Sequence, residues 1–159
     1  MRCRFAHLAG MICLIGVSGG LAVSANGAEG RIIKVLPQFV DLKGQAMVSP
    51  SLYDRDAYQK YLRMHPAKRS GMRFAVQWKA RTPASEPLKL RVELRGIAEG
   101  NLPKETMLDE TVRQHHWFSH WTSLTLTGDA FKEFGEVTAW RATLWDGETL
   151  LGEQKSFLW

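Results

Sequence analysis

The eight residues LKLRVELR, from Leu88 to Arg95, constrain this chain more than any other stretch. Leu88, Leu90, Val92 and Leu94 alternate with Lys89, Arg91, Glu93 and Arg95. An extended backbone sends the first set to one face and the second to the other, whereas a helix would scatter both sets around its circumference. FAVQWKAR, residues 74–81, repeats the pattern with Phe74, Val76, Trp78 and Ala80 on the apolar side. TPASEP between them carries two prolines and reads as a loop.

The same period recurs elsewhere. RIIKVL (31–36) reads as a first strand that ends at Pro37, and SLTLT (123–127) as a later one. TMLDETV (106–112) is a less regular strand. VTAWRATLW (137–145) and ETLLGEQKSFLW (148–159) form a predicted hairpin around Asp146-Gly147, a pair suited to positive backbone angles. SPSLYDRDAYQKYLRMHP breaks the pattern and predicts a helix at about 52–64. Ser51 with Asp54 resembles a capping box, Leu52, Tyr58, Tyr61 and Leu62 form an approximate stripe, and Pro66 sets the end. A short helical turn over Asp129–Phe134, stopped by Gly135, is expected later.

Short strands, turn signals and one inserted helix predict a mainly β chain: a single antiparallel β-sandwich at 29–159, immunoglobulin- or fibronectin-III-like in plan. The cysteine pair of true immunoglobulin domains is absent, and Trp78 or Trp140 is expected to fill the space between the sheets.

The first 28 residues read as a signal peptide. Arg2 and Arg4 precede an apolar stretch, and small residues allow cleavage between 25 and 28. Both cysteines, Cys3 and Cys13, fall in this leader, so the mature chain is expected to be disulfide-free. The expected location is exported, periplasmic or extracellular, with no integral membrane anchor after cleavage. An outer-membrane barrel is disfavoured, because Lys155 and Glu153 fall on the alternation that Trp159 would place toward lipid. The chain has 21 Lys and Arg against 16 Asp and Glu; losing Arg2 and Arg4 leaves 19 against 16, a net of +3. That mild excess does not suggest a nucleic-acid partner.

Three features carry the functional expectations. HHWFSHW (115–121) brings His116 and His120 within reach of one cation in either an extended or a helical reading, so a Zn or Cu site is the alternative role considered. Two imidazoles are an incomplete ligand set, and His65, Asp109 or Glu110 would have to supply a third. The plainer expectation is a strand entrance with packed tryptophans and wet histidines, and no cofactor. Exposed aromatics such as Trp117 and Trp121 are candidates for a recognition surface. Arg73, Lys79, Arg81, Lys89, Arg91 and Arg95 lie on the polar sides of the two best strands, with Arg91 and Arg95 the chosen binding candidates. If those strands are neighbours they form one positive face for an acidic glycan, a lipid phosphate or an acidic protein. No nucleophile elbow, phosphate-binding glycine loop or zinc-protease helix is present, and neither Asp54/Asp56 nor Asp109/Glu110 establishes an acid–base pair. The expected role is non-enzymatic: binding or assembly with an envelope or extracellular protein, or with an acidic glycan.

Overall fold

The structure, a computed structural model, describes residues 28–81, 87–113 and 118–159. The expected leader with Cys3 and Cys13, and His115, His116 and Trp117 of the histidine-rich run, lie outside the described residues. The elements in chain order are β1 (Glu29–Asp41), α1 (Leu52–Met64), β2 (Arg69–Arg81), β3 (Leu88–Ala98), β4 (Leu102–Val112), β5 (His120–Thr127), α2 (Gly128–Phe134), β6 (Glu136–Asp146) and β7 (Thr149–Lys155). The strands form two antiparallel sheets, one of three strands ordered β1-β2-β5 and one of four ordered β4-β3-β6-β7.

The alternation read from the sequence sets the core. Phe74, Val76 and Trp78 of β2 are buried together with Leu90, Val92 and Leu94 of β3 in one cluster shared by the two sheets. Each such side chain contributes on the order of 1.5–3 kcal/mol through removal from water. Trp78, rather than the half-buried Trp140, is the large ring enclosed between the sheets, and its Nε1–H donates to Thr122 Oγ1 at 2.9 Å. A buried indole N–H without an acceptor would cost free energy; Thr122 removes that cost.

β1 differs from its predicted form in two ways. It does not stop at Pro37, which pairs with Phe74 and lies inside the strand. β1 is an edge strand, where the missing N–H of proline faces no ladder partner. It also carries a bulge between Ile32 and Lys34: Ile32 pairs with Trp78 and Lys34 with Gln77, leaving Ile33 as an extra residue. Parity therefore resets. Ile32 and Val35, three apart, are both buried, and Arg31 and Lys34, also three apart, are both exposed.

Along its other half, β1 is covered by α1. The helix has the predicted bounds, with Ser51 Oγ accepting from Asp54 N at 3.4 Å. Its expected stripe is narrower than predicted: Leu62 is fully buried while Leu52 and Tyr61 are exposed, because the helix touches the sheet edge rather than a broad face. Gln59 takes the place of a further strand at that edge. Its Oε1 accepts from Phe39 N at 2.8 Å and its Nε2 donates to the oxygens of Phe39 and Ala46. Tyr58 Oη donates to Asp41 Oδ2 at 2.7 Å, and Asp41 Oδ1 accepts from Lys43 N and Gln45 N. The Tyr58 hydroxyl and the two amides hold the Asp41 carboxyl below its ordinary range, and Asp41 in turn pushes Tyr58 up to about 12.

Two further details depart from expectation. The β6–β7 hairpin turns on Gly147-Glu148, since Asp146 still pairs with Thr149; Gly147 alone takes the positive angle, φ 55°. The last strand ends at Lys155, not Trp159, and the tail folds back so that the Trp159 ring lies 4.1 Å from the Arg95 guanidinium. On the opposite side of the molecule from the β4 edge, β7 meets β1 very closely. A Cβ at Gly152 would lie 2.7 Å from Arg31 Cα, so glycine is what lets these two backbones touch.

Candidate functional site

Placing β2 and β3 in different sheets separates the basic side chains that the sequence left as one conditional patch. Arg73, Lys79 and Arg81 lie on the outer face of the three-stranded sheet; Lys89, Arg91 and Arg95 lie on the outer face of the four-stranded one. No single positive face joins them.

The four-stranded face neutralises itself. Arg91 is bidentate to Asp109, Nε to Oδ1 at 2.7 Å and Nη2 to Oδ2 at 2.8 Å. Arg95 Nε reaches Glu105 Oε1 at 3.0 Å, and Arg141 Nε reaches Glu93 Oε2 at 2.6 Å. Each of these pairs joins direct cross-strand partners. The Arg91 guanidinium holds the Asp109 carboxyl below its ordinary range. Trp159 stacks across Arg95 and Arg141 and covers part of what they would present. The two candidate binding arginines, Arg91 and Arg95, are thus engaged with acids of their own sheet. Asp109 and Glu110, being consecutive strand residues, point to opposite sides and form no acid–base pair.

The three-stranded face is different. Arg31 and Lys34 of β1 and Arg73, Lys79 and Arg81 of β2 share it, and Glu29 is the one acid at its rim. Among the described residues none of these cations makes an ion pair. Arg73 donates from Nη2 to Gln38 Oε1 at 3.1 Å. Glu29, Arg31, Lys79 and Arg81 line a shallow hollow of about 270 Å³.

Trp121 belongs to this face. β5 begins at His120, which pairs with Trp78 and tilts against its ring at 5.3 Å on the core side. The next residue must point the other way, so Trp121 is outward and 50% exposed. For these two residues the expected arrangement of packed tryptophan and wet histidine is reversed. The cue was available: counting back by twos from buried Leu124 and Leu126 puts His120 inside. Trp121, Gln77 and Lys34 form one row across the sheet, and Gln77 Nε2 donates to Ser119 Oγ at 3.0 Å, fixing the amide beside the indole. The next row is Ser123, Ala75 and Leu36, small on the β5 and β2 side that adjoins Trp121. The Arg31–Lys79 row lies on the other side of Lys34 and Gln77, about 7 Å away along the strands. The result is a flat strip with an exposed indole at one end, an amide and hydroxyl in the middle and clustered cations at the other.

His116 and Trp117 lie outside the described residues, so the His116–His120 pair has no described geometry. His65 sits at the end of α1 with its Nδ1 2.8 Å from Tyr61 O. Among the described residues no group of three or more His, Cys, Asp or Glu is placed to hold a metal ion. Among them, too, no helix is long and apolar enough to cross a membrane. No family model, no curated protein and no solved structure matches the chain.

Proposed function

We propose that this chain is an exported, non-enzymatic binding or assembly module, on an immunoglobulin- or fibronectin-III-like scaffold, that engages a protein or glycan partner of the envelope or extracellular space. The observation that carries the reading is the outer face of β1-β2-β5. Among the described residues its cations make no ion pair, with Glu29 the acid at their rim, and its tryptophan stands 50% exposed where Trp78 is enclosed. An exposed indole beside unneutralised charge is a poor contributor to folding and a good contributor to recognition, since aromatic and cationic groups dominate binding energy at interfaces.

Capture experiments on an envelope fraction test this reading. Immobilised wild-type protein should retain a partner that Trp121→Ala combined with Lys79→Glu fails to retain, while Arg95→Ala on the opposite face retains it. Retention indifferent to both variants would overturn the reading. So would loss in the Arg95 variant alone.

A further inference from the structure

Resting on that reading, we infer that the ligand of the three-stranded face is an anionic polysaccharide: a chain of pyranose rings bearing carboxylate or sulfate groups, laid across β5, β2 and β1. The geometry distinguishes this class from a simple polyanion and from an acidic protein. A polyanion needs cations only, and the strip carries a half-exposed large hydrophobic side chain, Trp121, as an apolar plane. The C–H face of a pyranose ring matches such a plane, as flat apolar surfaces match aromatic rings generally. Beside it, the Gln77 amide is held by Ser119, and Ser123 supplies a hydroxyl in the adjoining row. These groups suit the hydroxyls of a sugar. Lys34 ends the Trp121–Gln77 row, and one row beyond stand Arg31 and Lys79; together they border the position an anionic substituent would take, with the shallow hollow beside Arg31, Lys79 and Arg81.

An acidic protein fits less well. Protein interfaces centre on anchors that enter fully desolvated pockets, and this strip is flat around Trp121, with Ala75 and Ser123 as its low neighbours. The charge is also one-sided. Glu29 is the acid at the rim, so a ligand bringing both signs would leave its cations unmatched.

Affinity electrophoresis and tryptophan fluorescence of the mature chain decide the matter, using polygalacturonate, dextran sulfate, neutral dextran, inorganic polyphosphate and vesicles with anionic headgroups. Polygalacturonate or dextran sulfate should bind, with neutral dextran at least about tenfold weaker. Trp121→Ala should weaken the anionic polysaccharide about tenfold and polyphosphate less than about twofold. Lys34→Ala with Lys79→Ala should weaken both. Thermal unfolding of each variant checks that the sheet is intact, and Trp121→Phe, which keeps a ring, should recover most of the lost binding. Polyphosphate or vesicles binding as tightly as the polysaccharides, with no dependence on Trp121, would overturn the assignment. Absence of binding to either anionic polysaccharide would also overturn it. In that event, face-dependent capture from the envelope fraction would leave the broader module reading standing with a protein as partner, and face-independent capture would remove both.

Discussion

On the outer face of β4-β3-β6-β7, Arg91, Arg95 and Arg141 each meet a carboxylate on the neighbouring strand; on the outer face of β1-β2-β5, Arg31, Lys34 and Lys79 meet none among the described residues. The difference separates two uses of the same residue types. Cross-strand ion pairs help fix register and offset repulsion. Unpaired cations on adjacent strands repel one another, and that cost is recovered only when a ligand of opposite charge arrives. The aromatic rings repeat the contrast. Trp159 is folded onto arginines of its own molecule, while Trp121 stands half exposed beside Gln77.

Substitutions at the two tryptophans of the three-stranded sheet should give the widest separation. Trp78→Ala should cost about 3–5 kcal/mol in denaturant unfolding, because it empties the space between the sheets. Trp121→Ala should change stability by no more than ~0.5 kcal/mol. Similar losses at both sites would show that Trp121 is structural. Next in size, Arg141→Ala should cost about 1 kcal/mol, with coupling to Glu93 visible in a double-mutant cycle, whereas Lys79→Ala should cost nothing or stabilise slightly. A stability loss at Lys79 equal to that at Arg141 would erase the contrast between the faces.

The faces should also differ with pH. Asp109 titrates below its ordinary value of about 4 because of Arg91, so its contribution is present above that value and is lost as pH falls through the lower folded one. Asp109→Asn should therefore reduce the acid-induced loss of stability below about pH 4, measured by chemical unfolding at stepped pH. An unchanged acid profile would mean the pair does not couple to folding. The smallest effect is expected at the alkaline end. Tyr58 is raised to about 12, so its bond to Asp41 stabilises fully below the ordinary tyrosine value near 10 and fades as pH rises toward 12. Tyr58→Phe should flatten that alkaline slope and leave binding at Trp121 untouched. A slope as steep as that of the wild type would place its origin in another group.

Much of the scaffold was legible because apolar periodicity and caps are local signals. Phe74, Val76 and Trp78 announced β2, Leu88 to Leu94 announced β3, and Ser51 with Pro66 bracketed α1. Sheet membership was not legible, because nothing in LKLRVELR or FAVQWKAR records which strand each one pairs with, and the positive face hung on that. Trp121 was singled out from the histidine-rich run, yet its hydrophobicity argued for burial while the parity set by Leu124 and Leu126 put it outside. Arg31 and Lys34 were missed as members of the site, since spacing of three is wrong for one face of a regular strand. The matching spacing of Ile32 and Val35 was the available clue to the bulge.

That bulge makes the inventory of the face insensitive to one extra residue in the strand. With Ile33 present, the segments on either side of it each keep their apolar residues inside. A chain lacking Ile33 would run Arg31-Ile32-Lys34-Val35 as an unbroken strand, in which alternation alone sets Arg31 and Lys34 outward and Ile32 and Val35 inward, the same faces they hold with the bulge. Loss of Ile33 in a lineage would therefore leave the cations of the strip where they stand. The bulge absorbs one surplus residue at a position that contributes little to the core, and the face is built the same way with it or without it.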